Sequence, residues 1–390
     1  MATWTYLLAD LRTNNILAQV PLVSVQPPTM RLNTTGSLSG SIPVRSVPGD
    51  PYRYTTPART VIYALRDGVP WWGGIIWTRK YSAATGLVEI QAGDWWSYFD
   101  HRFILGYYGA TDFTPADARV GAADPGTTAH GTLQYGYTGP MMGQFDIVKN
   151  LLADSYGNYR GGDIRLQLYA PTHPGHTRQV MYPNFELVSY AKALADLANL
   201  ADGPDLLFGV NGWDTTGAPQ RCLWIGDPEL VFAPGQVVFT YGANLLDYTW
   251  PSDGTNIATR TWALGQSDNI STMMSRVDSP DMIDDFGWPL LEAKNTYDAV
   301  TQGTQWQQLQ VQAVSDAQSN RHTVIVPTLT VRTDMPPHLR FGPGDAARLI
   351  IQDDYFRNGI DIPVKITDVA ASVSTDTAEI AVNPVDEDNP

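Results

Sequence analysis

Thr60-Val61-Ile62-Tyr63-Ala64-Leu65, the turn Arg66-Asp67-Gly68 and the aromatic run from Trp71 to Trp77 decide how this chain folds. A β-branched and aromatic run, a glycine-bearing turn and a second aromatic run spell two adjacent strands. Leu87-Val88-Glu89-Ile90 adds a further strand a short way on. Upstream, Trp4–Leu11 reads as a strand, Arg12-Thr13-Asn14-Asn15 as its turn, and Ile16–Val20 as the strand that runs back. Ser37-Leu38-Ser39-Gly40-Ser41-Ile42 reads as a strand of small residues that a neighbouring sheet can approach closely. Closely spaced strands with turn signals between them are an all-β pattern. Five tryptophans, Trp71, Trp72, Trp77, Trp95 and Trp96, crowd into this stretch.

Beyond it the pattern changes. Gly, Pro, Ala, Asp and Thr dominate from about 109 to 139, and Thr111–Pro140 reads as a loop, linker or insertion boundary. Two helices follow: Phe145, Val148, Leu151 and Leu152 share one face and end at Gly157, and Leu187, Tyr190, Ala191, Leu194, Leu197 and Ala198 recur at helical spacing until Gly203-Pro204. Leu206–Val210 is a strand of the same α/β-containing region. Strand character returns at Gln236–Tyr241 and Asn256–Leu264. A third helix is expected over Thr304–Ala317, with Trp306, Leu309 and Ala313 facing inward. Thr323–Arg332 alternates, and Ala347–Ile351, Ile362–Val369 and Thr377–Val382 form three further strands, expected to close as a small barrel or sandwich of their own. Asp386-Glu387-Asp388-Asn389-Pro390 is expected to be a disordered tail.

At 390 residues the chain has room for two to four domains. Only 17% of residues are charged, while 12 Trp and 19 Tyr exceed what a few small cores require; aromatic-rich sheets and buried interfaces both explain them. The net charge of -15 is unevenly placed: residues 1–110 hold nine of the 25 basic residues and six of the 40 acidic ones, so 16 basic and 34 acidic residues fall after them. An acidic surface repels nucleic acid, which argues against a DNA-binding module but suits a passage along which DNA slides without sticking. Cys222 is the only cysteine, so neither an intrachain disulfide nor a thiolate metal cluster can form. No basic-then-apolar leader and no apolar run approaching the ~18 residues of a membrane span is present.

Chemical motifs are absent: no Gly-Lys-Ser/Thr phosphate loop, no His-Glu-x-x-His, no Gly-x-Ser-x-Gly. The six histidines are scattered; His173 and His176 flank a Pro-Gly turn, but two imidazoles do not make a tight metal site. Asp284-Asp285 and Asp353-Asp354 read as solvated turns, because neighbours on a strand point to opposite faces and cannot form the facing carboxylates of a glycosidase. Cys222 reads as a small core residue. Phe99-Asp100-His101-Arg102 is the most distinctive polar stretch. As chemistry it is an Asp-His pair beside an Arg. As structure, the preferred reading, Asp100 and Arg102 pair at the end of a β-module and fix Trp95, Trp96 and Tyr98.

The Tyr6–Leu22 hairpin, Gly36-Ser37-Leu38-Ser39-Gly40-Ser41-Ile42-Pro43 and Gly93-Asp94-Trp95-Trp96-Ser97-Tyr98-Phe99-Asp100-His101-Arg102 resemble the tail-hub, or baseplate-hub, minor tail proteins of long non-contractile-tailed phages infecting actinobacteria. So do Gly287-Trp288-Pro289-Leu290-Leu291-Glu292, Pro343-Gly344-Asp345 and Asn358-Gly359-Ile360; the resemblance covers most of the chain except about 105–235. It implies a mainly β, multidomain protein with α+β elements: a tube-like ring domain at 1–108, an inserted peripheral domain with two helices at 109–236, a second tube-like domain at 237–335, and a small C-terminal β-barrel at 336–390. It further implies a homotrimer whose ring continues the tail tube, joins tail-tube or distal tail proteins to tip or fibre proteins, and passes DNA through an acidic lumen. The place of work would be the virion tail tip after synthesis in the host cytoplasm. No catalytic residue, cofactor or metal is implied. Trp95, Trp96, Tyr98, Asp100, His101, Arg102 and Trp288 are the assembly candidates. The rival readings are a glycan-cleaving enzyme, with a carboxylate pair in a Trp-lined groove, and a carbohydrate- or receptor-binding tip protein.

Overall fold

The computed structural model describes residues 2–104, 141–157, 161–169, 176–178, 180, 182, 187–200, 202–227, 229–230, 237–267, 272–297, 305–321, 326–336, 338 and 340–384. The expected linker at Thr111–Pro140 and the acidic tail lie outside them. Two compact units emerge: one of 1–247, 329–361 and 365–381, the other of 248–328, 362–364 and 382–390.

The first unit is built on a sheet of β1 (Trp4–Asp10), β2 (Ile16–Val20), β3 (Val23–Gln26), β5 (Ser37–Pro43), β6 (Thr60–Arg66), β7 (Val69–Ser82) and β8 (Leu87–Gly93), with β4 (Thr29–Arg31) leaving it. The strand order is β2-β1-β6-β7-β8-β5-β3. Asp67 (φ 51°) and Gly68 (φ 79°) form the two-residue turn between β6 and β7, a mirror-image turn whose twist suits a hairpin. At the other hairpin the Asp10 carboxylate accepts from Arg12 N at 3.0 Å, Thr13 N at 2.8 Å and Thr13 Oγ1 at 3.0 Å.

Along β1, β6 and the first half of β7 both faces are buried, and the two-residue period of a strand sorts those side chains between two cores. Tyr6 and Leu8 join Ala18, Leu38, Ile42, Ile62, Trp72, Ile76 and Ile90 in one cluster; because these come from both ends of the strand order, the sheet curls around them. Leu7, Ala9, Val61, Tyr63 and Ile75 point the other way and meet the inserted residues. Those are α3 (Gln144–Gly157), α4 (Tyr190–Ala198), β12 (Leu206–Trp213) and β13 (Pro219–Ile225), preceded by α1 (Pro51–Tyr54) and α2 (Trp96–Phe99) in the first module. The short strands β9 (Met142–Gly143), β10 (Gln167–Tyr169) and β11 (Thr177–Arg178) complete the insertion; β10 pairs in parallel with β13, and β12 pairs antiparallel to β13. Ser189 caps α4 through Lys192 N, so Leu187, expected inside that helix, sits before it, at φ 48° and exposed.

β14 (Val237–Thr240) and β15 (Leu245–Thr249) begin a second sheet. The second unit then contributes β16 (Arg260–Ser267), β17 (Thr272–Asp278), α5 (Pro280–Asp284), β18 (Glu292–Tyr297) and α6 (Gln305–Ser319). There β16 is central, antiparallel to β17 and parallel to β18. α6 covers one face through Leu309 and Ala313 against Ala263, and Tyr297 donates to Asp316 at 2.6 Å. Trp306, expected inward, is 57% exposed.

β19 (Thr328–Arg332), β20 (Ala346–Ile351), β21 (Ile360–Ala371) and β22 (Thr377–Pro384) finish the second sheet in the order β14-β20-β21-β22-β19-β15, with β4 paired to β21. The three C-terminal strands therefore do not close on themselves among the described residues; their neighbours include β14, β19 and β4. The coarser expectation of a β-rich multidomain chain with α/β insertions holds.

Candidate functional site

At the end of β8 the chain turns at Gly93-Asp94 and enters α2. Asp94 is buried; its two carboxylate oxygens accept from Gly36 N at 2.7 Å and Trp96 N at 3.0 Å, which ties the start of β5 to the turn. Burial pushes this carboxyl well above the usual range, against those two hydrogen bonds. A side chain at Gly36 would collide with the Thr29 carbonyl and with Asp94, so glycine is required by close approach. Ser97 Oγ donates to the Asp94 carbonyl at 2.6 Å and accepts from Trp77 Nε1 at 2.7 Å.

From this anchored turn the assembly candidates fan out into the inserted residues. Trp95 is fully buried and its Nε1 donates to the Gly209 carbonyl of β12 at 2.7 Å. Trp96 meets Phe208 edge to face with ring centroids 5.5 Å apart. Tyr98 donates to the Gly162 carbonyl at 2.9 Å, and burial raises its phenol. Arg102 Nη2 donates to the Ser155 carbonyl of α3 at 2.5 Å, while its own carbonyl receives Tyr190 N of α4 at 3.0 Å. Asp100 is exposed at the surface; partial burial of its carboxyl raises it, opposed by His101. His101 lies on Trp77 with centroids 4.3 Å apart. One decapeptide thus carries contacts to α3, α4, β12 and 162, and acts as a junction between sheet and insertion. Trp288 belongs to the second unit, where its N–H closes the end of α5 onto the Met282 carbonyl at 2.9 Å.

The centre of the junction is a residue that motif reading passed over. Arg221 of β13 is buried and makes five hydrogen bonds, all to neutral oxygens: Tyr63 Oη at 2.7 Å, Leu11 O at 2.5 Å, Ile164 O at 2.8 Å, Asp10 O at 3.2 Å and Asn14 Oδ1 at 2.9 Å. Its guanidinium also lies 4.9 Å from the Trp95 ring centre, a cation–π distance. Tyr63 Oη donates in turn to Asn14 Oδ1 at 2.5 Å, and Asn14 Nδ2 donates to the Pro219 carbonyl at 3.0 Å. The signal was present: Arg221, Leu223 and Ile225 alternate along β13, so the strand period puts the arginine on a core-facing row.

A second tie runs to β21. Lys365 Nζ lies 2.7 Å from the buried Asp205 carboxylate, whose Oδ2 also accepts Leu230 N at 2.9 Å. Residues 29–33 bridge likewise: Leu32 N donates to the Thr367 carbonyl at 2.9 Å, and Leu206 N donates to Asn33 Oδ1 at 2.8 Å.

The remaining chemical candidates stay apart. His176 Nε2 faces Asp202 at 3.9 Å, and its expected partner His173 lies outside the described residues. Asp284 ends α5 and Asp285 caps it, while Asp353 accepts from Tyr355 N and Phe356 N as a turn residue. Cys222 is buried, which raises its thiol. Among the described residues, no group of three or more His, Cys, Asp or Glu could hold a metal, and no helix is long and apolar enough to cross a membrane.

No family model and no curated protein matches the chain. Solved structures do. The 43 kDa tail protein of prophage MuSo2 from Shewanella oneidensis is similar at a TM-score of 0.56 and 11% identity, over 98% of each chain. The tail protein from Neisseria meningitidis MC58 is similar at 0.51 and 14%, over 98% of this chain and 97% of that one. A chain of a lidless PdpA–VgrG complex is similar at 0.52 and 9%, over 100% of this chain and 66% of that one. The likeness is one of fold, and it does not single out phages of actinobacteria.

Proposed function

We propose that this chain is a structural tail-hub protein at the distal end of a phage tail tube, and that three copies form a ring joining the tube to tip or fibre proteins. The observation that carries this reading is the full-length fold likeness to the Shewanella prophage tail protein, 98% of each chain. The open sheet of the second unit supports it. Its outer strands β17 and β18 each have one partner among the described residues, and unpaired strand edges invite pairing with another chain. The two edges differ, so a contact between them is head-to-tail, the kind that closes into a ring. The role is mechanical: DNA passes through without specific binding, past walls drawn from a chain whose residues after 110 hold 34 acids against 16 bases. The work would be done at the virion tail tip, without catalysis or cofactor.

The test is mass measurement in solution with negative-stain imaging, alone and with tail-tube protein. Rings at three times 42.8 kDa, or co-assembly on tube ends, are expected. A persistent monomer that cleaves polysaccharide would overturn the reading in favour of the glycan-cleaving alternative.

A further inference from the structure

Between the Asp10–Thr13 turn, Ala58–Arg59 and residues 161–165 lies a pocket of about 630 Å³. Three guanidiniums line it. Arg12 has no side-chain hydrogen bond or ion pair among the described residues, and Arg59 leans on Asp10 Oδ2 at 3.7 Å with its side chain 65% exposed. Arg165 Nε donates across the pocket to the Arg12 carbonyl at 3.1 Å. The walls are fixed from behind by Arg221, whose Nη1 holds Leu11 O and Ile164 O together, so the backbone next to Arg12 and Arg165 is held before any ligand arrives.

We propose that this pocket binds an acidic peptide segment of a partner protein, with a side-chain carboxylate set among Arg12, Arg59 and Arg165. A guanidinium fork matches a carboxylate geometrically. The rim decides for peptide over phosphate. Asp10 spends Oδ1 on its own turn and turns Oδ2 to Arg59, while Asp163 keeps Oδ2 beyond the Arg165 N–H that Oδ1 accepts at 2.6 Å. A peptide offers N–H donors to that carboxylate and apolar atoms to Leu11 and Ala58; a phosphodiester offers neither and is repelled. The charge distribution adds specificity, since an acidic partner is disfavoured along a chain of net charge -15 except where the basic excess of residues 1–110 is displayed. The inference does not require the ring, because a monomer would present the same pocket.

The test is fluorescence anisotropy on the full chain at low salt, with a terminally blocked hexapeptide of alternating Asp and Gly and its Asn counterpart as probes. The Asp peptide is expected to bind about tenfold more tightly than the Asn peptide. Arg12→Ala and Arg59→Ala should each weaken it roughly three- to tenfold, and Arg12→Glu should remove binding while the urea midpoint stays at the wild-type value. Equal binding of the two peptides, or an Arg12→Glu variant that binds as before, overturns the proposal. So does saturation by inorganic phosphate or a short DNA duplex with the Asp peptide silent, which would assign the pocket to phosphate.

Discussion

Arg221→Met tests whether the junction rests on one buried cation. The side chains are similar in length, so the change removes donors more than volume. It leaves the carbonyls of Leu11 and Ile164 without their donor, whereas Asp10 O keeps Asn14 N at 3.0 Å and Asn14 Oδ1 keeps Tyr63 Oη. A buried acceptor stripped of its partner costs about 1–3 kcal/mol, and two of them act together here. Against this, the variant no longer buries a charge, which is itself worth several kcal/mol and is why apolar replacement of buried ion pairs can stabilise. That escape is restricted here: three of the acceptors are main-chain oxygens, which no substitution at 221 can remove. The net expectation is a loss of about 2–4 kcal/mol. Arg221→Lys, keeping charge but not the fork, should lose about half as much. Hydrogen exchange of segments 10–15 and 161–166 reads the junction directly, with urea unfolding followed by tryptophan emission as the global measure, since Trp95 lies against the guanidinium. A Met variant equal to or more stable than wild type, with unchanged protection in both segments, would refute the reasoning.

Three more outcomes are expected. Gly73→Ala should cost about 1–3 kcal/mol by overpacking, because a Cβ there would come within 2.7 Å of Tyr63 and 2.8 Å of Trp95; an unchanged urea midpoint would show that the rings yield. Lys365→Met should cost about 3–5 kcal/mol by leaving the Asp205 carboxylate buried and unpaired, and adding Asp205→Asn should recover part of it; a double-mutant cycle without coupling would count against the tie. For Asp94, burial lifts the folded-state value above the unfolded one, so the folded chain binds the proton more tightly. Stability linked to that proton is full below the ordinary carboxylate range and is lost as pH rises through the raised value. Urea midpoints across that range should therefore fall with rising pH in wild type relative to Asp94→Asn, and parallel curves would disprove it.

Local pattern carried the hairpins and helices. Thr60–Leu65 became β6 because a continuous apolar run with an Asp-Gly turn has one good local solution, and Phe145, Val148, Leu151 and Leu152 fell on α3 because the helical period is unambiguous there. Pairing between distant strands was not legible. β14 joins β20 in parallel, Val237 opposite Ala347, and β4, between β3 and β5 in the chain, pairs with β21. Nothing within a strand names a partner over a hundred residues away, so Ala347–Ile351, Ile362–Val369 and Thr377–Val382 looked self-contained. Helix ends failed where a cap outranked periodicity, as Ser189 did over Leu187.

The aromatic content shows how composition can be right about quantity and mute about place. Tyr and Trp suit an interface because a ring with a polar handle fits a half-wet boundary. In this chain several of the handles are spent inside one subunit: Trp95 Nε1 on Gly209, Trp72 Nε1 on Thr29, Trp77 Nε1 on Ser97, Tyr63 Oη on Asn14. Trp72, Trp95 and Trp96 are buried, and of the tryptophans Trp213 and Trp306 are the ones counted exposed. These buried rings answer the strands enclosed on both faces, which need twice the filling of strands with one face in water. Evidence for assembly has to come from what remains open among the described residues, such as the edges of β17 and β18 and the exposed Met274 of β17 and Phe286 beyond α5. If Trp306→Ala and Phe286→Ala left self-association untouched while a proline on the β17 edge abolished it, main-chain edge pairing rather than aromatic burial would be what joins the copies.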